Sequence, residues 1–118
     1  MPELTVYVYR KCSTCRKALK WLDDHGLTYE ERSIREQPPT LPELQKALTT
    51  VGQLRPLLNT SSQDYRDSGL KDTLDAMAPE AVFNRLMANG NLIKRPFVVT
   101  PNAAFAGFKE ETWAQRLL

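Results

Sequence analysis

The sequence predicts a small α/β domain in which a strand–helix–strand unit opens the chain, helices fill its middle, and a hairpin and a helix complete it. Leu4–Tyr9 is a short run of β-branched and aromatic residues, and a helical pattern follows it as far as about His25. Short helical patterns occupy the stretch from about residue 38 to about residue 90. Two further short apolar runs, Phe97–Thr100 and Ala104–Gly107, are separated by a turn and therefore predict a β-hairpin.

The first helix and the second strand are predicted from their patterns and their ends. Gly26 lies where a helix commonly ends in the left-handed conformation. Thr28–Ile34 has strand character but is polar, which indicates a position near the edge of the sheet. Because strand–helix–strand units in one sheet are almost always right-handed with parallel strands, these elements predict a parallel pair. Apolar residues share one face of the helix, at Cys15, Ala18, Leu19 and Leu22.

The middle and the end of the chain are predicted to be mainly helical. Leu41–Val51 carries an apolar stripe with helical spacing, and Gly52 ends it. Pro79 suits the first turn of a later helix, because proline has no N–H to leave unpaired there. Lys109–Leu118 is predicted as a final helix that Trp113 anchors to the core.

The resulting element order is βαβ, then helices, then ββα, which is the thioredoxin-like order with a helical insertion between its halves. We therefore expect a four-stranded mixed sheet in a single domain over residues 1–118, with the insertion over about residues 38–90. The length of 118 residues is close to the commonest domain size and too short for two ordinary cores.

Composition excludes several classes of protein. Hydrophobic residues make up 42% of the chain and charged residues 25%, which is typical of a packed globular domain. No apolar run approaches the ~20 residues of a membrane span, and the start of the chain lacks a secretory signal, so a cytoplasmic location is expected. The net charge of +2 without a basic block indicates no nucleic-acid or membrane partner. The modest content of exposed apolar residues favours a monomer.

Cys12 and Cys15 are the only cysteines, and their spacing predicts a thiol redox site. The thiolate is the reactive form of cysteine, so a catalyst must lower the pKa of its nucleophile. Cys12 lies in the turn that enters the first helix, where unpaired N–H groups and the helix dipole favour an anion. We predict that Cys12 attacks and that Cys15, one turn later, resolves the mixed disulfide.

The neighbours of Cys12 are predicted to assist it. Ser13 and Thr14 can donate hydroxyl hydrogen bonds to the sulfur, and either could be the N-cap of the helix. Lys11, Arg16 and Lys17 add positive charge, which also favours the thiolate.

Two structural alternatives compete with the redox interpretation. A zinc site needs about four ligands, and the chain has one histidine, His25, at the far end of the helix. Zinc binding within one chain is therefore not expected, and His25 is expected to interact with the helix dipole instead. Two inert core cysteines remain the alternative, because cysteine is often a small buried residue.

Two motifs resemble the ArsC/Spx family, which includes glutaredoxin-coupled arsenate reductases, the Spx transcriptional regulators and the YffB-type proteins. The first motif is Tyr9-x-x-Cys12-Ser13-Thr14-Cys15-Arg16-Lys17-Ala18, and the second is Leu92-Ile93-Lys94-Arg95-Pro96-Phe97-Val98-Val99. The resemblance covers essentially the whole chain. It implies a nucleophilic role for Cys12, anion binding by Arg95, and a cis peptide bond at Pro96 beside the cysteine.

The chain also departs from the arsenate reductases of that family. Asn59 stands where the resemblance implies one oxyanion-binding arginine, and Phe108 stands near the position of another. Arg55 and Arg66 are close in sequence but displaced. The second cysteine of the pair, Cys15, is a feature of the Spx regulators, and so is the glycine–aromatic end of the hairpin.

Three functions therefore remain open from the sequence. The first is a thiol-disulfide reductase that holds no bound cofactor, uses glutathione as co-substrate or glutaredoxin as partner, and acts on a small oxyanion or a disulfide. Its substrate would be held by Lys11, Ser13, Thr14, Arg16, Arg95 and Pro96. The second is an arsenate reductase in the strict sense, which the missing arginines oppose. The third is an Spx-like redox regulator that binds the α subunit of RNA polymerase.

Overall fold

The computed structural model describes residues 3–118, and Met1 and Pro2 lie outside the description. The strands are β1 (Thr5–Val8), β2 (Glu30–Ser33), β3 (Phe97–Val99) and β4 (Ala104–Ala106). The helices are α1 (Ser13–Asp24), α2 (Leu41–Val51), α3 (Gln63–Ser68), α4 (Leu70–Thr73), α5 (Pro79–Ala88) and α6 (Glu110–Leu117). Short 3₁₀ turns lie at Arg55–Leu57, Leu74–Ala76 and Gly90–Leu92.

The four strands form one mixed sheet in the order β2-β1-β3-β4. β1 pairs with β2 in parallel and with β3 in antiparallel orientation, and β3 and β4 form the antiparallel hairpin. The predicted parallel pair, the hairpin and the thioredoxin-like order are therefore confirmed. β2 lies at one edge of the sheet, as its polar sequence indicates, and all four of its residues are only half-buried.

Alternation along the strands divides the core into two layers. Val6 and Val8 of β1 face α1 and α6 and pack with Cys15, Leu22 and Trp113. The opposite face meets the helices between β2 and β3. There the core contains Tyr7, Phe97, Leu44, Leu57, Leu70, Phe83, Leu86 and Ile93. The sheet is therefore covered on both faces, which explains why Val6–Val8 of β1 and all of β3 are buried.

The ends of α2 follow from local chemistry. Thr40 accepts a hydrogen bond from the N–H of Glu43, and the carboxylate of Glu43 accepts one from the N–H of Thr40, which forms a capping box. Gly52 ends the helix at φ 86°, a left-handed conformation that glycine adopts without steric cost. The predicted bounds of this helix, Leu41–Val51, are confirmed.

Other bounds differ by one or two residues. β2 is shorter than the predicted Thr28–Ile34, because its parallel partner offers only the four residues Thr5–Val8 for pairing. The last helix begins at Glu110 rather than at Lys109, whose backbone is still extended. Within residues 3–118, no helix combines the length and the apolar character that crossing a bilayer requires.

Candidate thiol active site

The end of β1 and the start of α1 place Cys12 at a helix N-terminus. Cys12 is the last extended residue before the helix, with φ −85° and ψ 124°. Its N–H donates to the carbonyl of Tyr9 at 2.9 Å, and its carbonyl accepts from the N–H of Arg16 at 3.1 Å. No side chain caps the helix. The N–H groups of the first turn are therefore left to face the thiol.

The surroundings of Cys12 favour its thiolate. Partial burial on its own would raise the pKa of the thiol, because it disfavours the charged form. The backbone N–H and thiol of Cys15, the guanidinium of Arg95 and the backbone N–H of Thr14 outweigh burial and lower the pKa of Cys12 below its ordinary value. The start of the helix therefore places Cys12 where backbone N–H groups and a guanidinium favour an anion.

Cys15 differs from Cys12 in both burial and charge. Its side chain is fully buried under β1, where the N–H of Tyr9 donates to the sulfur at 3.5 Å. Burial raises the pKa of Cys15 to about 11, so this thiol stays neutral at neutral pH. Both cysteines are present as unbridged thiols. The pair therefore combines one accessible, acidified thiol with one buried, neutral thiol.

The loop before β3 brings a cation to the same place. The peptide bond between Arg95 and Pro96 is cis, as the family resemblance implies. The guanidinium of Arg95 lies over the ring of Tyr9, 4.7 Å from its centroid, and Arg35 lies over the same ring at 5.0 Å. Tyr9 therefore holds Arg95 near Cys12, because its ring contacts the guanidinium and its carbonyl accepts the hydrogen bond from the N–H of Cys12.

Several predicted neighbours of Cys12 have other positions. Neither Ser13 nor Thr14 is the N-cap, because Cys12 itself takes that position. The contact of Thr14 with the thiol is made by its backbone rather than by its hydroxyl. Arg16 turns away, since its guanidinium donates to the carbonyl of Arg10 at 2.8 Å. Lys11 is exposed and does not line the cavity at Cys12.

Lys17 is likewise absent from the thiol site. It lines a separate hollow with Trp21 and Phe108 on the outer side of α1. The side chains of residues 16 and 17 point outward because the buried stripe of α1 is formed by Cys15, Ala18 and Leu22. None of the three cations predicted to surround Cys12 lines the cavity beside it.

A cavity of about 620 Å³ opens beside Cys12 and extends to α6. Its lining includes four cationic residues, Lys94, Arg95, Lys109 and Arg116, and no Asp or Glu among the described residues. Of these four residues, only Arg95 was predicted from the sequence. The spacing of Lys109 and Arg116 could have indicated two more, because it places them on the same side as the anchor Trp113.

The two departures from the arsenate reductase pattern both belong to this cavity. Asn59 and Phe108 line it together with Cys12 and Arg95. The resemblance implies three oxyanion-binding arginines at this cavity, and of these three only Arg95 is present. Gly107 supports the wall: its N–H donates to the carbonyl of Pro96 at 2.8 Å, and its carbonyl accepts from the indole of Trp113 at 3.0 Å.

Metal ligation has no support in this part of the molecule. Among residues 3–118, no cluster of three or more His, Cys, Asp or Glu side chains could hold a metal ion. His25 lies at the C-terminal end of α1, where its Nδ1 is 2.8 Å from the carbonyl of Trp21, and its ring stacks against that indole at 4.0 Å.

Comparison with known proteins places these features in a family context. A family model described as the ArsC family matches residues 7–116. The uncharacterized protein YusI of Bacillus subtilis (strain 168) is 42% identical over 116 residues, which cover 94% of this chain and 98% of that protein. The global transcriptional regulator Spx of Listeria innocua serovar 6a is 28% identical over 109 residues, which cover 92% of this chain and 82% of the regulator.

A solved structure gives the same result in three dimensions. The crystal structure of a possible arsenate reductase from Streptococcus mutans UA159 matches with a TM-score of 0.88 and 36% identity, over 97% of this chain and 99% of that one. The chain is therefore similar both to a protein named as a regulator and to one named as a reductase.

Proposed function

This chain belongs to the ArsC family, and we propose that within it the protein is a thiol-disulfide reductase in which Cys12 is the nucleophile and Cys15 the resolving thiol. The observation that carries the proposal is the asymmetry of the pair. Cys12 is half-buried with a lowered pKa, whereas Cys15 is fully buried with a pKa raised to about 11. An accessible thiolate next to a protected thiol is the arrangement that a two-step exchange needs.

The reaction proceeds in two exchanges. The Cys12 thiolate attacks one sulfur of an oxidised disulfide, forms a mixed disulfide and releases the other half as a thiolate. Cys15 then loses its proton and attacks the Cys12 sulfur, which releases the second half and leaves a Cys12–Cys15 disulfide. Two electrons pass from the protein to the substrate. Two molecules of an external thiol, for which we propose glutathione, return them and become its disulfide, either directly or through glutaredoxin.

Burial of Cys15 protects the order of these events. A neutral, inaccessible thiol does not compete with Cys12 for the incoming substrate. Formation of the mixed disulfide removes the charge on Cys12, and that charge is one of the effects that raise the pKa of Cys15. The resolving thiol therefore becomes more acidic once the first exchange is complete.

Reduction of arsenate is a second candidate that the cavity partly supports. Asn59 and Phe108 replace the implied arginines, which removes charge-assisted hydrogen bonds to an oxyanion. Positive charge in the same cavity also comes from Lys94, Lys109 and Arg116. The two lysines, however, lack the planar fork with which arginine binds an oxyanion. Incubation with arsenate, glutathione and glutaredoxin, followed by measurement of arsenite, tests this candidate.

An Spx-like regulator is the third candidate, favoured by the similarity to Spx and by the dithiol pair. In this case a Cys12–Cys15 disulfide would change binding to the α subunit of RNA polymerase. A pull-down that captures this subunit from one redox form only would support it. Absence of capture together with turnover of disulfides would leave the reductase.

The decisive experiment for the reductase measures turnover of a small disulfide with glutathione and glutathione reductase. C12S should abolish turnover. C15S should accumulate a mixed disulfide at Cys12 that mass spectrometry detects on the intact protein. S61A removes an exposed hydroxyl that does not line the cavity and serves as the control with unchanged turnover. Turnover by C12S at the native rate would refute the proposal.

A further inference from the structure

One face of α6 forms a wall of the cavity beside Cys12. Lys109, the N-cap residue immediately before α6, lines the cavity together with Thr112, Trp113 and Arg116 of the helix, whose spacing places them on one side of it. Trp113 is buried and holds the helix on the sheet, while Lys109 and Arg116 are exposed at the two ends of this face. The guanidinium of Arg116 also lies 5.2 Å from the ring centroid of Phe105.

The charge of this wall is uncompensated within the cavity. The salt bridges among residues 3–118 involve Arg10, Lys20, Arg32 and Arg55, so none uses a cation that lines the cavity. Glu110 and Glu111 border a neighbouring hollow together with Lys109 and Thr112, but they do not line the cavity beside Cys12. Four cations and no carboxylate therefore line this cavity, which favours anionic groups in it.

The dimensions fit a ligand longer than a tetrahedral oxyanion. Lys109 and Arg116 are seven residues apart, which corresponds to ~10 Å along a helix axis. That distance equals about three residues of extended peptide at ~3.4 Å each. A cavity of about 620 Å³ is also in the range that encloses drug-sized ligands. Asn59 and Thr112 provide uncharged polar side chains for peptide amides, whereas the hydroxyl of Thr50 is already bonded to the backbone of Lys46 and Ala104.

We propose that Lys109 and Arg116 form a subsite for the carboxylates of a short peptide segment that carries the sulfur attacked by Cys12. The inference rests on the proposed reductase activity and specifies its substrate class: an anionic peptidyl disulfide with acidic groups about three residues apart. Asn59 and Phe108, which line the cavity where the resemblance implies arginines, present no charge to the peptide there. Arg95 lies near the reacting sulfur, and Lys109 and Arg116 bind the acidic groups farther along the peptide.

Two matched synthetic probes test the subsite. One is acetyl-Glu-Cys-Gly-Glu-amide and the other its Gln counterpart, each as a mixed disulfide with 2-thiopyridine, whose release reports attack by Cys12 on the peptide sulfur. At low ionic strength the native protein should react with the acidic probe about tenfold faster in kcat/KM, as two partly exposed charge pairs allow. The preference should shrink as salt is added.

Substitution should remove the preference without removing the chemistry. K109Q/R116Q should bring the ratio of the two rates to about one, while 2-thiopyridine is still released from both probes. K20Q/K71Q removes the same net charge from surfaces outside the cavity and should keep the preference. R116K retains the charge and should also keep the preference. If R116K loses the preference as fully as R116Q does, the packing of Arg116 on Phe105 is responsible for it, and the subsite is wrong.

The outcomes separate the two proposals. A fast reaction of both probes with no acidic preference in the native protein overturns the subsite and leaves the reductase intact. A reaction of both probes no faster than that of free cysteine overturns the reductase, and with it the subsite. An acidic preference that K109Q/R116Q retains also overturns the assignment to α6.

Discussion

Gly90 packs closely against the backbone that follows β2. Replacing it with alanine should therefore strongly destabilise the folded protein. A Cβ built at Gly90 would lie 1.8 Å from the carbonyl oxygen of Ile34, 2.8 Å from its carbonyl carbon and 3.3 Å from the Cα of Arg35. All three atoms belong to backbone, so no side-chain rotation can relieve the contact. The oxygen would have to move from 1.8 Å to at least 3.0 Å.

That movement would disturb both sides of the contact. The N–H of Ile34 donates to the carbonyl of Val8 at 3.0 Å and so holds the end of β2 against β1. On the other side, the turn that begins at Gly90 leads through Ile93 directly to Arg95. Overpacking a core typically costs about 1–3 kcal/mol, and a backbone clash in both directions belongs at or above the upper end of that range. We expect G90A to lower the free energy of unfolding by about 3 kcal/mol or more.

Chemical denaturation followed by tryptophan fluorescence measures this loss. Gly26 provides the matched control, because a Cβ built there has no neighbouring atom within 4 Å, so alanine meets only the conformational strain of φ 67°. G26A should cost about 1 kcal/mol. A G90A protein that is destabilised by no more than G26A would refute the close approach of Gly90 to Ile34.

Three further predictions concern the core, the thiol and its pH dependence. Tyr7 donates from its buried hydroxyl to Glu43 at 2.7 Å, so Y7F should lower the free energy of unfolding by about 1–2 kcal/mol in a denaturant titration. R95M should slow alkylation of Cys12 by iodoacetamide several-fold at neutral pH, because the guanidinium that lowers its pKa is gone. The pKa of Cys15 is about 11 in the folded protein and 9.0 ordinarily, so the unfolded chain loses this proton first. The free energy of unfolding should therefore fall as pH rises from about 9 to about 11, and C15A should reduce that fall.

Each of these predictions has a control and a contrary result. For R95M the control is R66M, which removes an exposed arginine of α3 outside the cavity and should leave alkylation unchanged. Equal alkylation rates in R95M and the native protein would show that Arg95 does not act on Cys12. Y7F with native stability would contradict the role of the Glu43 hydrogen bond. An identical alkaline slope in C15A would assign that slope to other groups.

Most of the fold could be predicted because local patterns and the sheet agree. The β-branched and aromatic run of β1, the amphipathic stripe of α1, and the apolar stripe and terminal glycine of α2 each specify one element, and the right-handed crossover rule joins the first two strands. The edge position of β2 also followed from its polarity. The length of β2 did not, because pairing with the four residues of β1 limits it, and pairing is a property of two segments.

The thiol site could be predicted only in part. The position of Cys12 at a helix start depends on neighbouring residues and was accessible from the sequence. The directions of Arg16 and Lys17 were not, because they depend on how α1 is rotated when its apolar stripe meets the sheet. The cations of the cavity come from segments more than 80 residues away from Cys12 in the chain, and only the folded hairpin and α6 bring them there.

Titration of the two thiols in the native protein distinguishes an activated nucleophile from an ordinary cysteine. Alkylation at a series of pH values, with the two cysteines separated by peptide mapping and mass spectrometry, gives the reactivity of each. Cys12 should react with an apparent pKa below 9.0, while Cys15 should remain protected until the pH approaches 11. Two cysteines that titrate together near 9.0 would contradict this expectation, because neither could then be assigned as the activated nucleophile.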